Sequence, residues 1–172
     1  MARYRKIDVR IWGDEKFCKL GKMEASGQGL WLYLLTNPET VNIPGLYRSG
    51  EAQMAEALGW GLEAFREAFK EAFGEGLVKA DWKARVVWIP RAIKYNEPES
   101  PNVVRGWKTW WDEIPECELK VEARERIRAH LKGLHKGFQE AFREVLGEGF
   151  GKAYGESGAG TGTRAGAEGI RD

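Results

Sequence analysis

Cysteine is scarce in this chain. Its 172 residues hold two, Cys18 and Cys117, 99 positions apart and away from any clustered histidine. That excludes a disulfide framework or a zinc motif of paired Cys and His, and it suits a reducing compartment. Histidine is as rare: His130 and His135 stand five apart, outside the His-Glu-x-x-His frame that puts two imidazoles on one helix face. Excess charge is also missing. Lys and Arg number 27 against 26 Asp and Glu, a net +1, so no bulk basicity announces a polyanionic partner. No apolar run nears the ~18 residues of a membrane span, and the basic N-terminus lacks the apolar stretch of a signal peptide. Asp8, Asp14 and Glu15 form no recognisable acid pair, and no Ser or Cys sits in a nucleophile setting. The expectation is a cytoplasmic, non-membrane protein that is not an enzyme and carries no cofactor or metal.

What is present is apolar and aromatic. Hydrophobic residues make up 42%, ample for a core, and eight are Trp. A phrase is also written twice. FREAFKEAFGEGL opens at Phe65 and FQEAFREVLGEGF at Phe138; aligning 64–80 with 137–153 gives ten identical residues. Charge is uneven: residues 1–95 carry 15 basic groups against 12 acidic, and 96–172 carry 12 against 14.

Periodicity orders the elements. Residues 24–36 read as a buried helix, with Ser26 as N-cap and a stop at Asn37-Pro38. IPGLYRSG (43–50) reads as one short strand. A second helix runs from Ser49, its expected N-cap, to Leu58, with Ala52, Met54, Ala55 and Leu58 inward. Gly59-Trp60-Gly61 breaks it. A third helix, from Leu62 to Phe73, carries the stripe Leu62, Phe65, Phe69, Phe73, and Gly74 and Gly76 supply the positive φ that ends it. LVKAD (77–81) and RVVWI (85–89) then form a hairpin. NEPESP (96–101) is a linker, with Ser100 and Pro101 opening a helix striped by Val104, Trp107, Trp111 and Ile114. Pro115 closes that helix. Another, 118–134, has Leu119, Ala123, Ile127, Leu131 and Leu134 on one side and Lys120, Arg124, Arg126, Arg128 and Lys132 elsewhere. The second copy of the phrase is a final amphipathic helix.

Helix, strand, helix, tight turn, helix and hairpin is the winged helix-turn-helix plan. The fold class expected is α+β, mainly helical. A winged domain would span 1–95, a connector and C-terminal helices 96–150, and a flexible Gly-rich tail 151–172. In that plan the third helix enters the major groove and the hairpin lies along the backbone. Candidate DNA contacts are Arg66 and Lys70 on the helix, with Lys79, Lys83 and Arg85 on the wing. Trp82 at the wing tip would pack on sugar or stack, and Arg3, Arg5 and Lys6 would add phosphate contacts. The blander reading is a solvated face, since Glu63, Glu67 and Glu71 share the third helix. Trp107, Trp110 and Trp111 read as packing rather than base stacking. The 118–134 helix is a second nucleic-acid candidate, interrupted by Glu118, Glu122 and Glu125. GEG at 74–76 and GEGFG at 147–151 are helix stops, since neither has a phosphate-loop context.

Several phrases resemble a family of phage and prophage replication proteins: MARYRKIDVRIWGDEKF, LWLYLLTNP, LGWGLEAFREAF and AIKYNEPESPNVVRGW with IPECELK. These replisome-organiser proteins are similar to the N-terminal domain of DnaD-type initiators, and the resemblance covers about residues 1–120. It implies binding to origin double-stranded DNA and recruitment of a replicative helicase or its loader, with DNA contacts at the helix and wing positions already named. A winged-helix transcriptional regulator and an interaction module that no longer binds DNA remain alternatives. The chain departs from the family in its Gly-rich end and at Gly27 and Gly29 in the first helix. The second phrase copy has no strand pair behind it, so it cannot complete another winged unit. Its apolar face (Phe138, Phe142, Leu146, Phe150) needs covering by a partner, by self-association into a homo-oligomer, or by the domain itself.

Overall fold

The computed structural model of the chain describes residues 7–147, so Arg3, Arg5, Lys6, Phe150 and the tail lie outside the described residues. The fold is α+β and mainly helical. After a 3-10 turn (Val9–Gly13) come α1 (Glu15–Cys18), α2 (Gly27–Thr36), β1 (Leu46–Arg48), α3 (Glu51–Leu58) and α4 (Leu62–Gly74). Then follow β2 (Lys79–Asp81), β3 (Val86–Trp88), α5 (Ala92–Tyr95), α6 (Pro101–Glu113), α7 (Glu118–Leu131) and α8 (Lys136–Leu146). The strands form one antiparallel sheet in the order β1-β3-β2. No helix among the described residues is long and apolar enough to cross a membrane.

The central strand explains why RVVWI is uninterruptedly apolar. Side chains alternate across a strand, and both faces of this sheet are covered. Val87 and Ile89 join Leu30, Leu34, Met54, Leu58 and Phe65 from α2, α3 and α4. Val86 and Trp88 join Val104, Trp107, Ile127 and Phe142 from α6, α7 and α8. One helical layer therefore makes the winged-helix unit, and the C-terminal helices close the other side of its sheet.

The helix-turn-helix forms as its glycines dictate. Gly59 ends α3 at φ 71°, a left-handed conformation that costs most residues a Cβ clash. Its amide reaches the last carbonyls of α3, and Trp60 N–H donates to Ala55 O at 2.9 Å. Trp60 folds back into the core, its Nε1 donating to Met23 O at 2.6 Å. Ser26 caps α2 as expected, accepting from Gly29 N at 3.1 Å. Glu71 of α4 accepts from Gly27 N at 3.1 Å, and a Cβ at residue 27 would stand 2.3 Å from that carboxylate. The glycine that weakens α2's start thus leaves room for the Glu71 side chain of the neighbouring helix.

Six expectations need correction, the first being Ala52, which is exposed on α3 rather than inward. Ser49 is not a helix cap: its N–H donates to Arg85 O at 2.9 Å, prolonging the β1–β3 pairing, and Gly50 takes the N-cap without a side-chain bond. Gly74 is the last residue of α4; only Gly76 has positive φ, 66°. Phe73 does not complete the buried stripe, being 55% exposed. The helix from Glu118 stops at Leu131, short of 134, where Lys132 and Gly133 turn the chain. Lys120 leaves the charged side altogether and is 2% exposed. Its Nζ donates to Ile114 O and Glu116 Oε1, both at 2.6 Å, and lies 5.1 Å from the Trp111 ring centroid. A buried ammonium survives there because the carbonyl at the end of α6 and a carboxylate both accept from it.

The C-terminal stripe behaves as read. Val104, Trp107, Trp111 and Ile114 are buried, and the tryptophans pack rather than face solvent. α8 lies chiefly against α6, burying Ala141, Phe142 and Leu146. Among the described residues the domain itself covers the second copy's face, Phe142 and Leu146 fully and Phe138 in part. Arg105 fixes the pair, donating to both oxygens of Glu144 at 2.6 and 3.1 Å.

Candidate nucleic-acid interface

The wing is the β2–β3 hairpin. Asp81 pairs with Val86, leaving Trp82 to Arg85 as a four-residue turn. Asp81 Oδ1 accepts from Ala84 N at 2.9 Å, the local bond that starts such turns. Arg85 closes it at φ 56°, a left-handed geometry that costs about 1–2 kcal/mol for a residue with a Cβ. Its carbonyl is used by Ser49, so sheet pairing over-determines the strained residue. The side chain emerges beside Gly50, at the start of α3.

The expected contacts divide sharply. Lys70, Lys83 and Arg85 are exposed and carry no ion pair among the described residues. Lys79 is engaged: its Nζ lies 2.6 and 2.9 Å from the two Glu122 oxygens of α7, which reaches across the sheet edge. Arg66 is engaged more fully. Its Nε and Nη2 donate to the two Glu51 oxygens at 3.0 and 2.8 Å, and Nη1 to Glu63 at 2.9 Å. The bond to Glu51 pushes the Arg66 pKa up from its already high value, and the same bond lowers Glu51. A guanidinium held by two carboxylates presents little net charge to a base edge.

Trp82 is turned inward. Its ring meets Phe69 edge-on at 4.7 Å and Phe65 at 6.3 Å, so it buttresses the wing against α4 instead of standing at the tip. Beside it, Phe73, Phe69 and Lys70 line an open cleft of 440 Å³ between α4 and β2. Arg10, in the basic N-terminal region, is occupied by Asp8 at 2.7 Å.

Sequence reasoning missed Arg48. It is exposed on β1, opposite Val86 in the ladder and next to the residue bonded to Arg85. With Arg85 it borders a cleft whose other wall holds Glu39 and Glu113. Leu46 and Tyr47 are both buried and only Arg48 is out, so this three-residue strand carries no alternation to point to it. The surviving cations are therefore Lys83, Arg85 and Arg48 at the turn end of the sheet, with Lys70 on α4. They can neutralise phosphates; nothing among them forms a nucleophile or proton-transfer pair. Among the described residues there is no cluster of three or more His, Cys, Asp or Glu placed to hold a metal. No family model, no curated protein and no solved structure matches this chain.

Proposed function

We propose that this protein binds double-stranded DNA through its winged-helix unit, as a replication protein of the phage and prophage kind that its first two thirds resemble. The observation that carries the reading is a hairpin turn bearing unpaired Lys83 and Arg85 beside a glycine-hinged helix pair. Backbone contact needs only positive groups at the right height, so occupied Arg66 does not oppose it. Four contacts, from Lys70, Lys83, Arg85 and Arg48, would give a log–log salt slope near −3.6, taking about 0.9 per phosphate. The C-terminal helices are the proposed contact for a replicative helicase or its loader. They would use their outer faces, because their apolar faces are consumed by one another and by the sheet.

Replacing Lys83 and Arg85 with Ala should weaken duplex binding on the order of tenfold or more at 0.1 M salt and flatten the slope by about 1.8. Unchanged affinity with intact folding removes the wing from the reading. Sequencing the fragments that the protein retains from its source genome separates replication from transcription: repeated origin sites or promoters. A second reading is an interaction module of the same fold. The clamping of Arg66 by Glu51 and Glu63 favours it, since that leaves the outward face of α4 acidic around Glu67. A folded protein that retains no duplex even at low salt would select it.

A further inference from the structure

The charges of α7 look mixed along the sequence, but the fold sorts them. Glu122 leans to the sheet and holds Lys79. Glu125 lies beside Arg124 and Arg128, at 2.7 and 2.8 Å. Arg124 and Arg128 on one face of α7, and Lys132 just past its end, recur every fourth residue, one helical turn or ~6 Å apart. That face meets α8 across a groove of 480 Å³, where Arg143 stands on the opposite wall and, among the described residues, no acidic side chain lines the space.

We infer that the α7–α8 groove is a second phosphate-backbone site for nucleic acid, separate from the wing. Arg124 forms one end as a fixed strut, its Nε donating to Leu146 O at 2.7 Å, so it holds the two helices in place while adding charge. Arg128 shares its guanidinium with Glu125 and remains part-exposed. Lys132 and Arg143 are exposed and carry no ion pair among the described residues. Neither charge is neutralised by a carboxylate among the described residues.

The occupant follows from the floor of the groove. An amphipathic peptide helix needs exposed apolar surface to grip. Here Leu131 and Phe142 are 1% and 2% exposed, sealed beneath the cationic side chains. A phosphate chain needs only the charges, which are repeated along one wall and answered from the other. Glu122 and Arg124 project to different sides of α7, so the groove does not share the wing's surface; it would hold a second segment of nucleic acid.

The test uses the full chain and a short, labelled, mixed-sequence duplex. Lys132→Ala with Arg143→Ala should lower affinity on the order of tenfold at 0.1 M salt and flatten the log–log slope by about 1.8, with unchanged circular dichroism. The same loss should appear when the pair is added to the Lys83→Ala, Arg85→Ala variant. If the groove pair changes neither affinity nor slope in either background, the site is overturned. A wing variant that binds normally while the groove variant fails would sink the wing reading and leave this one standing. Polyglutamate that binds as tightly as the duplex, and is lost with the groove pair, would assign the groove to an acidic protein and overturn it as well. No duplex binding by any form overturns both sites.

Discussion

The two copies of the Phe-Glu-Ala-Phe phrase, α4 and α8, begin almost alike and are buried in opposite senses. In α4 the first ring, Phe65, is fully buried, Phe69 nearly so, and Phe73 stands out in solvent. In α8 the equivalent Phe138 is only partly buried, while Phe142 and Leu146 disappear into the core. Each copy packs against one long helix, α4 on α2 and α8 on α6, and each uses the same Glu of the phrase to grip it. Glu71 takes the Gly27 amide; Glu144 takes Arg105. The cation before that Glu, Lys70 or Arg143, is left unpaired and borders a groove in both places. An amphipathic helix carries its stripe wherever it goes, but its neighbours decide which end of the stripe is used. α4 releases the chain into the β2–β3 hairpin, whose Trp82 packs back on Phe65 and Phe69. α8 ends where Arg124 donates to its last carbonyl, that of Leu146.

That contrast can be broken most visibly at the third apolar position. Leu146→Ala should cost about 2–5 kcal/mol, because a side chain with no exposure leaves a cavity among Ile127, Leu131 and Phe142. Phe73→Ala, at the same place in the phrase, should stay within about 0.5 kcal/mol. Urea unfolding of the two variants measures both, and equal losses would mean that the copies share one burial pattern. The glycines come next. A Cβ on Gly147 would stand 2.4 Å from Arg143 O, so Gly147→Ala should destabilise by about 1–3 kcal/mol. Gly74 has open space around it within the last turn of α4, and Gly74→Ala should stabilise by about 0.5–1 kcal/mol. Thermal melts of the pair check the sign.

The elements that sequence reading found were those whose cause is local. Ser26, Gly59, Gly76, Pro101 and the apolar spacings act within a few residues of themselves, so their helices and turns could be named in order. What it missed depends on distant partners. Ser49 reads as a cap until β3 claims its amide, and Lys120 reads as solvated until the end of α6 lies over it. The candidate site suffered most for the same reason. Nothing near Arg66 in the sequence says that Glu51, fifteen positions earlier, will clamp it. Nothing in a wing-tip Trp says that Phe69 will draw it inward. The short α5 has no periodicity to detect, and Arg48 needed the register of a three-residue strand.

The smallest effect separates the two gripping carboxylates by pH. Arg105 donates to both oxygens of Glu144, and that bond holds the Glu144 pKa below its ordinary 4.5. A carboxylate depressed in the folded state stabilises it at pH values above the unfolded pKa, and the benefit fades as pH falls through the folded value. Glu144→Gln should therefore lower the urea midpoint slightly at pH 7 and converge with the parent as the acid limb passes below pH ~4. Glu71→Gln keeps an amide oxygen able to accept from Gly27 N, so its midpoint at pH 7 should match the parent's. A Glu144→Gln offset that persists unchanged into acid would show that the pair acts through shape rather than charge. The two copies would then grip their neighbours in the same way.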